Sequence, residues 1–369
     1  MEDFFKSIET QYKAQLPFVV YRKPRESQVN AILQQTDDLY FVKDFTESGF
    51  VFAPFDTSEN SVILPLESSE VLSVNYTVPL MEEKQQSSSN FSEEEKKFHI
   101  NLVNKGVQAI NINTFKKVVL SRQESVKLTD TNPISIFKNL LNNYDSAFAY
   151  CWYHPKVGLW LGATPETLMK IDGNVFSIMA LAGTLEYKGT LDVIWVEKEQ
   201  LEQKIVTDFI VENLNPLVEN LKISEIETVK AGNLLHLKTM ISAQLKTTST
   251  LNQLISALHP TPAVCGYPKF SAKEFILLNE NYNRAYYTGF LGELNLKKEV
   301  TPRASKRNIE NRAYSFSKKS TQLYVNLRCM QLKDSEAIIY IGGGITANSN
   351  PESEWEETVS KSVVIKKVL

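Results

Sequence analysis

The chain has 369 residues, of which 43% are hydrophobic and 22% are charged, enough to build the core of one large domain or two ordinary ones. A net charge of -3 and an isoelectric point near 6.0 provide no basic surface for nucleic acid or an anionic membrane. No apolar run approaches the roughly 20 residues that cross a bilayer, and the first residues lack the apolar core of a signal peptide, so we expect a cytoplasmic protein.

The first 94 residues are predicted to form a helix and several short strands. Residues 1–15 carry apolar side chains at helical spacing, whereas residues 39–42, 49–53 and 61–64 are short strand-forming segments. The polar segment EEKQQSSSN at residues 82–90 predicts a surface linker. We therefore divide the chain into a strand-rich N-terminal part of the fold, residues 1–94, and a larger core, residues 95–369.

The remaining residues mix helices and strands irregularly. Ser92 and Glu95 form a capping box before a helix whose apolar positions are Phe98, Leu102, Val103, Val107 and Ile110. Further helices are predicted at residues 196–213, 251–258 and 351–364, and strands at residues 115–122, 147–152, 159–162 and 338–341. No repeat of 20 to 50 residues is present, so the sequence predicts the α+β class.

Cysteine and histidine usage argues against a disulfide framework or a zinc centre. Cys151, Cys265 and Cys329 are odd in number and far apart, and none belongs to a CxxC pair. This pattern is typical of reduced thiols. The four histidines are scattered, so a histidine-based metal centre is not expected.

Lys117 is unusual because it lies in the apolar strand FKKVVLSR, residues 115–122. Alternation places it on the same face as Phe115 and Val119, and both faces of this strand look mostly buried. Either its ammonium reaches water from the strand end, or it lies in a cavity that lowers its pKa towards that of a base.

Glu166 ends the segment GATPE, residues 162–166, which follows a predicted strand. Thr164 and Pro165 suit the N-cap and first position of a helix, which would place Glu166 in a first turn that favours its ionised form. A general acid needs the opposite environment, in which burial or neighbouring carboxylates keep the proton on. The sequence leaves both readings open.

Two helices carry carboxylates whose surroundings decide their role. Glu202 lies at the edge of an apolar stripe, Leu201, Ile205 and Phe209, where either an ion pair with Lys198 or a hard cation would compensate its charge.

The C-terminal helix, capped by Asn350, has one apolar side with Trp355, Val359 and Val363. Its other side is typical of a solvated, salt-bridging face and carries Glu354, Glu357, Thr358 and Lys361.

Two glycine-containing segments allow a close backbone approach or a strained turn. They are YIGGGI at residues 340–345 and AGT at residues 182–184. Neither has the spacing of a P-loop or a dinucleotide fold. The sequence also lacks the GxSxG motif that would indicate a hydrolase.

Read in order, these segments resemble the chorismate-utilising enzymes, which include isochorismate synthases, salicylate synthases and the large subunits of anthranilate and aminodeoxychorismate synthases. The resemblance extends from about Glu95 to Lys361. The matching segments are KVVLSR from Lys117, GATPE from Gly162, ALAGT from Ala180, EKEQLE from Glu197, LLHLKT from Leu234, LHPTPAV from Leu258, RAYYTGFLGE from Arg284, NLRCMQL from Asn326, and GGGI with NPESEWEET and a later lysine from Gly342.

The resemblance implies antiparallel sheets packed face to face with helices outside and a site between them. It also implies that Glu202 and Glu357 hold a Mg²⁺ ion that binds the ring carboxylate of chorismate, with Glu354 close to the ion through water. Arg328 and Lys361 would meet the substrate's carboxylates. The remaining substrate-binding positions that it implies are Gly183, Thr184, His236, Ala263, Gly343 and Gly344.

One position separates the reactions of this family. The KVVLSR lysine acts as general base towards water in isochorismate and salicylate synthases, and the ammonia-using members generally lack it. The resemblance therefore implies an isochorismate synthase, an isomerase in which Lys117 deprotonates the water that attacks C2 and Glu166 protonates the departing C4 hydroxyl. Aminodeoxychorismate synthases place a nucleophilic lysine where this chain has Ala182, which excludes that covalent route.

Several alternatives stay open. A salicylate synthase would add pyruvate elimination to the same first step, although Ala263 followed by Val264 favours isochorismate as the final product. An aminating subunit and a relative without catalysis are the other readings. We expect a monomer without a glutaminase subunit, and the sequence does not choose among menaquinone, siderophore and salicylate biosynthesis.

The chain departs from the family pattern at three places. Gln203 stands where a histidine often follows the metal-binding glutamate, Ala180 stands where proline is common, and GGGI replaces GAGI. The first change alters a neighbour that could orient Glu202. The other two are conservative.

Overall fold

The computed structural model describes residues 1–78, 92–231, 234–300 and 316–369. The linker predicted at residues 82–90 lies outside these ranges. Within them, the chain forms two large sheets, and every strand pair recorded is antiparallel.

The first sheet has nine strands among the described residues. In spatial order these are β15 (Gly266–Tyr267), β7 (Lys117–Lys127), β19 (Glu336–Ile345), β18 (Cys329–Lys333), β9 (Gly158–Thr164), β8 (Phe148–His154), β1 (Phe18–Arg22), β2 (Gln28–Gln34) and β6 (Ser69–Asn75).

The second sheet follows a path of nine strands in the described part of the chain, with a tenth paired to one of them. The path is β12 (Val218–Ile223), β14 (Leu234–Leu245), β11 (Val175–Glu186), β10 (Thr167–Asp172), β17 (Phe316–Val325), β16 (Phe290–Val300), β4 (Gly49–Ala53), β5 (Val62–Pro65) and β3 (Tyr40–Phe41), and β13 (Glu227–Ala231) pairs with β14.

Aromatic side chains from both sheets fill the space between them. Phe148 of the first sheet stacks on Tyr324 of the second with ring centroids 4.0 Å apart, and Phe52 of the second lies 4.9 Å from Trp152 of the first. Each such pair adds about 0.5 to 1.5 kcal/mol beyond the burial of its area. The sheets therefore pack face to face, as the resemblance implies.

The helices cover the outer faces. α1 (Glu2–Lys13) and α3 (Pro133–Asn143) pack on the first sheet, whereas α4 (Glu197–Leu214) and α5 (Leu251–Leu258) pack on the second. α2 (Glu93–Asn111) and α6 (Lys269–Asn279) share a smaller core with β7. α7 (Pro351–Lys366) lies against α2 and β19. The predicted α+β fold with sheets facing each other and helices outside is confirmed.

Most of the elements predicted from the sequence are present at nearly the predicted residues. The capping box of Ser92 and Glu95 is formed, and α5 has the predicted bounds. Phe98 is the exception within α2, because it is 39% exposed. The N-terminal strands are distributed between both sheets, with β1, β2 and β6 in the first and β3, β4 and β5 in the second. The boundary at residue 94 itself stays a prediction.

One predicted helix is wrong. GATPE does not open a helix: β9 ends at Thr164, and β10 begins at Thr167, so Glu166 lies in the tight connection between two strands. The backbone N–H of Glu166 approaches the hydroxyl of Thr164 at 3.3 Å. The Thr-Pro pair that suits a helix start therefore serves a strand-to-strand connection instead.

Within the residues that the structure describes, no helix combines the length and apolar character needed to cross a membrane.

Candidate active site

A cavity of about 140 Å³ lies between the sheets, and strands of both sheets and helices α4 and α7 line it. A cavity of this order accommodates a six-membered ring. Of the site residues predicted from the sequence, Glu354 alone is absent from its lining. Those that line it are Lys117, Glu166, Gly183, Thr184, Glu202, His236, Ala263, Arg328, Gly343, Gly344, Glu357 and Lys361.

Lys117 begins β7 and points into this cavity with only 2% of its surface exposed. Tyr267 pairs with it across the sheet. Its Nζ lies 3.9 Å from Oε2 of Glu202. Burial lowers the pKa of the ammonium, and the opposing effects of Glu202 and Glu166 do not cancel that shift. The reading in which this ammonium reaches water is therefore wrong, because the side chain is enclosed.

Glu166 faces the same cavity and is 5% exposed. Its carbonyl accepts a hydrogen bond from the backbone N–H of Val325 at 3.0 Å, which ties the connection to the second sheet. Burial raises the pKa of Glu166 to about 8, although the positive charge of Lys117 acts in the opposite direction. GATPE opens no helix whose first turn would favour the ionised form. With its pKa raised by burial, this carboxyl holds its proton at neutral pH.

The three glycines of YIGGGI are residues of β19 and not a turn. At Gly344 a Cβ atom would lie 3.0 Å from Cε of Lys117 and 3.1 Å from Oε1 of Glu202. A side chain there would displace both groups. Gly344 therefore provides the space in which the lysine and the carboxylate meet.

Helix α4 buries a different face from the one predicted. Leu201 is 48% exposed, whereas Glu202 is 8% exposed and Gln203 is fully buried. Gln203 donates hydrogen bonds to the carbonyl of Ala180 at 3.1 Å and to the hydroxyl of Thr239 at 3.0 Å. Gln203 thus fixes the helix to β11 and β14, and this places Glu202 in the cavity.

The expected pairing of Lys198 with Glu202 is also wrong. The ammonium of Lys198 instead binds Oε1 of Glu354 in α7 at 2.7 Å. Burial lowers the pKa of Lys198. Glu354 and the other nearby carboxylates raise this pKa by a larger amount, so the net shift is upwards. Lys198 remains fully charged at neutral pH.

The polar side of α7 is not the solvated face that periodicity predicts. Glu354 is 2% exposed and Thr358 is fully buried, because this side packs towards β19 and α4. Lys361 binds Oε1 of Glu357 at 2.7 Å and donates to the carbonyl of Gly342 at 3.0 Å. Burial favours the neutral form of Glu357, but Lys361, together with Lys198 and His236, outweighs burial, and the pKa of this carboxyl is lowered.

His236 connects the AGT turn to Arg328. Its Nδ1 lies 2.8 Å from the carbonyl of Gly183, and its Nε2 lies 3.3 Å from a guanidinium nitrogen of Arg328. Burial, together with Arg328, lowers the pKa of His236 to about 3. The ring is therefore neutral: Nδ1–H donates to Gly183, and Nε2 accepts from Arg328. Gly183 has φ of +72° at an irregularity between β11 and β14, a conformation that suits glycine.

Arg284, the first residue of RAYYTGFLGE, supports one wall of the cavity. It is 2% exposed and forms an ion pair with Glu280 at 2.6 Å. It also donates to the carbonyls of Val119 at 2.7 Å and Val264 at 3.1 Å. Val119 and Val264 both line the cavity, so this motif residue acts through positioning.

The carboxylates of the site suit a hard cation in their chemistry. Oε2 of Glu354 is buried and has no hydrogen-bond partner among the described residues. Cβ atoms built on Gly343 and Gly344 would lie 3.4 Å from Oε2 of Glu354, 3.9 Å from Oε1 of Glu357 and 3.1 Å from Oε1 of Glu202. Three carboxylates thus border two consecutive glycines, a donor set of the kind that Mg²⁺ prefers.

These carboxylates are nevertheless not gathered as a finished metal centre. In the described ranges, no three His, Cys, Asp or Glu side chains lie close enough together to hold a metal ion. Lysines bind or approach the carboxylates instead. Binding of an ion would therefore require these carboxylates to move closer together.

Two family models, both described as chorismate-binding enzyme, match residues 55–301 and 313–367. The chain belongs to the chorismate-binding enzyme family. Among curated relatives of this chorismate-binding enzyme, isochorismate synthase MenF of Pasteurella multocida is 27% identical over 277 residues, covering 71% of this chain and 58% of that protein. Isochorismate synthase DhbC of Bacillus subtilis is 28% identical over 281 residues, and the match covers 71% of this chain and 65% of that protein. The matches thus span less than two thirds of these relatives' length.

A solved structure shares the fold of the chorismate-binding enzyme. It is DhbC of Bacillus anthracis, assigned as a 2,3-dihydroxybenzoate-specific isochorismate synthase, with a TM-score of 0.76 and 20% identity over 98% of both chains. At this identity the likeness establishes the fold alone. Both curated relatives are named isochorismate synthases.

Sequence reasoning missed several cavity residues of this chorismate-binding enzyme. Glu199 and Tyr287 line the cavity, and Lys198 lines it although it was expected only as a partner of Glu202. A helical signal existed for Glu199, which lies three residues before Glu202 on the same face. Tyr287 belongs to a distant loop, and only the fold brings it to β19.

Proposed function

We propose that this chain is an isochorismate synthase, which converts chorismate to isochorismate in a Mg²⁺-dependent isomerisation. The observation that carries the proposal is that Lys117 and Glu166 line the same cavity and that their pKa values are shifted in opposite directions. The pKa of the lysine is lowered and that of the glutamic acid is raised to about 8. A lysine with a lowered pKa suits a general base, and a glutamic acid with a raised pKa suits a general acid.

The proposed step uses Lys117 as base and Glu166 as acid. A water molecule forms its bond to C2 of the ring while Lys117 takes its proton, and the ring double bonds shift. The C4–O bond breaks, and the hydroxyl leaves as water with the proton of Glu166. One water enters and one leaves, so the reaction is an isomerisation without an oxidant or a second substrate.

The carboxylates of the substrate would be bound by Arg328 and Lys361. The guanidinium of Arg328 presents a planar fork, and burial lowers its pKa only to about 10, so it remains cationic at neutral pH. Gly183, Thr184, Gly343 and Gly344 would bring backbone groups close to the ring, and Ala263 leaves space at the wall.

Glu202 and Glu357, with Glu354 nearby, would hold the Mg²⁺ ion. The ion supplies positive charge for the ring carboxylate and so orients the substrate. Lys117 and Glu166, which transfer the protons, are not members of this set, although Lys117 lies 3.9 Å from Glu202.

Water is the proposed nucleophile because Lys117 stands at the position that the ammonia-using members generally fill with another residue. Ala182, which is 8% exposed and lines the cavity, offers no amine for covalent attachment. We further propose that the protein acts as a monomer in the cytoplasm without a glutaminase subunit.

The test is product analysis. Purified protein is incubated with chorismate and Mg²⁺, and the products are separated by chromatography. Isochorismate without salicylate is the expected result. Accumulation of salicylate and pyruvate would assign the two-step reaction instead, anthranilate formed with ammonium would assign amination, and unchanged chorismate would refute the proposal.

A further inference from the structure

Three lysines accompany the three carboxylates that are proposed to hold Mg²⁺. Lys117 lies 3.9 Å from Glu202, and Lys198 and Lys361 lie 2.7 Å from Glu354 and Glu357, respectively. The acidic groups are thus balanced by cations that belong to the protein. This arrangement agrees with the observation that, in the described residues, they form no finished metal centre.

The three lysines are not equivalent. Lys117 is enclosed and too distant from Glu202 for a hydrogen bond. Lys361 lies one turn from Glu357 on the same helix and also holds the carbonyl of Gly342. Lys198 has neither restriction: it comes from another helix, its side chain is 23% exposed, and its ammonium joins α4 to α7 by binding Glu354.

Lys198 is also attracted by all three carboxylates. Burial lowers the pKa of its ammonium, but Glu354, and after it Glu202 and Glu357, raise that pKa, so the net shift is upwards. An ammonium and a divalent cation compete for the same oxygen atoms when both are drawn to one group of carboxylates. The flexible four-carbon stem of lysine allows the ammonium to leave without movement of the helix.

We propose that Lys198 is the resident counter-cation of the magnesium site, and that Mg²⁺ binds by displacing its ammonium from Glu354. This inference rests on the proposed function, because it takes the metal site from it. Lys198 then has two effects: it holds α4 against α7 when the metal is absent, and it weakens the affinity for Mg²⁺. A metal-binding site with its own cation avoids leaving the buried carboxylate of Glu354 uncompensated in the metal-free protein.

The first experiment measures Mg²⁺ binding without substrate. Isothermal titration with Mg²⁺ alone compares the wild type with Lys198→Met and with the control Lys204→Met, which removes an exposed lysine of the same helix that pairs with Asp208. Lys198→Met is expected to bind Mg²⁺ at least about tenfold more tightly, and Lys204→Met should match the wild type. Equal or weaker binding by Lys198→Met overturns the proposal.

Thermal unfolding gives a second readout. In EDTA, Lys198→Met should unfold at a lower temperature than the wild type, because the buried carboxylate of Glu354 loses its ion-pair partner. Saturating Mg²⁺ should remove that difference, since a ligand of the folded state stabilises the tighter binder more. An equal decrease with and without Mg²⁺ would mean that Lys198 is only a structural ion pair.

The wild type provides a test that survives failure of the variant to fold. Lysine acetylation with a limiting reagent, followed by mass spectrometry, should modify Lys198 several-fold faster when Mg²⁺ is added, while Lys204 serves as internal reference. Unchanged or slower modification overturns the proposal, and so does absence of Mg²⁺ binding by every variant. Failure of chorismate turnover with these shifts intact would refute the proposed function and leave the counter-cation in place.

Discussion

The Nζ atom of Lys117 and Oε2 of Glu202 lie 3.9 Å apart in a cavity where both side chains are buried. The contact joins the first strand residue of β7 to helix α4, which packs on the other sheet. It places the proposed base next to a proposed metal ligand. Catalysis is therefore expected to depend on this contact.

Replacing Lys117 should remove the base and leave the fold intact. We expect Lys117→Ala to lower kcat by about 10² to 10⁴, measured as chorismate consumption in the presence of Mg²⁺. The matched control is Lys116→Ala, because Lys116 is the exposed neighbour on the same strand segment and should leave kcat unchanged. Activity of Lys117→Ala near that of the wild type would contradict the assignment of Lys117 as the general base.

Glu166 should set the alkaline limit of activity. Because its pKa is raised to about 8, the protonated acid is lost above that pH, and kcat/KM should fall there about tenfold for each further pH unit. Glu166→Gln should be slower by about 10² to 10⁴ and should lack this limb. A wild-type profile that stays flat well above pH 8 contradicts the general-acid role.

The raised pKa of Glu166 should also make the stability of the protein depend on pH. The pKa of this carboxyl is raised from 4.5 to about 8 on folding, so its contribution is complete below pH 4.5 and is lost as the pH rises through 8. The unfolding temperature of Glu166→Gln minus that of the wild type should therefore increase across this window. Glu212→Gln, at an exposed position of α4, is the matched control for the change from glutamate to glutamine.

Gly344 should tolerate no side chain. In Gly344→Ala the new methyl group would meet Cε of Lys117 at 3.0 Å and Oε1 of Glu202 at 3.1 Å, so both groups must shift. We expect kcat to fall at least about tenfold, because misplacement of catalytic groups by a fraction of an ångström is costly. A loss of activity accompanied by an equally large loss of unfolding temperature would indicate damage to the sheet instead.

His236 should act on substrate binding through Arg328. Its neutral ring accepts from Arg328 at 3.3 Å and donates to Gly183 at 2.8 Å. Loss of about one hydrogen bond in His236→Ala should raise KM for chorismate about tenfold, with a smaller effect on kcat. Steady-state kinetics decide the matter: a fall in kcat at constant KM would place His236 in the chemical step.

Local patterns were sufficient for much of the fold. The capping box at Ser92 and the apolar spacing of α5 predicted helices at nearly the right residues, since both signals depend on neighbours in the chain. GATPE misled because Thr-Pro suits a helix start and a strand connection equally. Its conformation was decided by β10, which continues directly into the second sheet.

The site was less accessible to local reasoning. Periodicity assigned Glu354, Glu357 and Lys361 to solvent, because a helix shows only which residues share a side and not what that side packs against. Lys198 was placed with Glu202, one turn away, whereas it pairs with Glu354 of a helix more than 150 residues later. Contacts of that kind have no signal in spacing.

The sequence by itself determined the α+β class, the positions of most helices, and, through its ordered motifs, the family and the identity of the acid and base candidates. Only the tertiary structure decided the directions in which their pKa values shift. Burial lowers the pKa of Lys117 and raises that of Glu166, and burial is a property of the enclosing sheets, which bring together residues that are distant in the chain. The same physical reason makes Lys198 a counter-cation candidate: its partner is chosen by how α4 and α7 pack, not by the residues beside it.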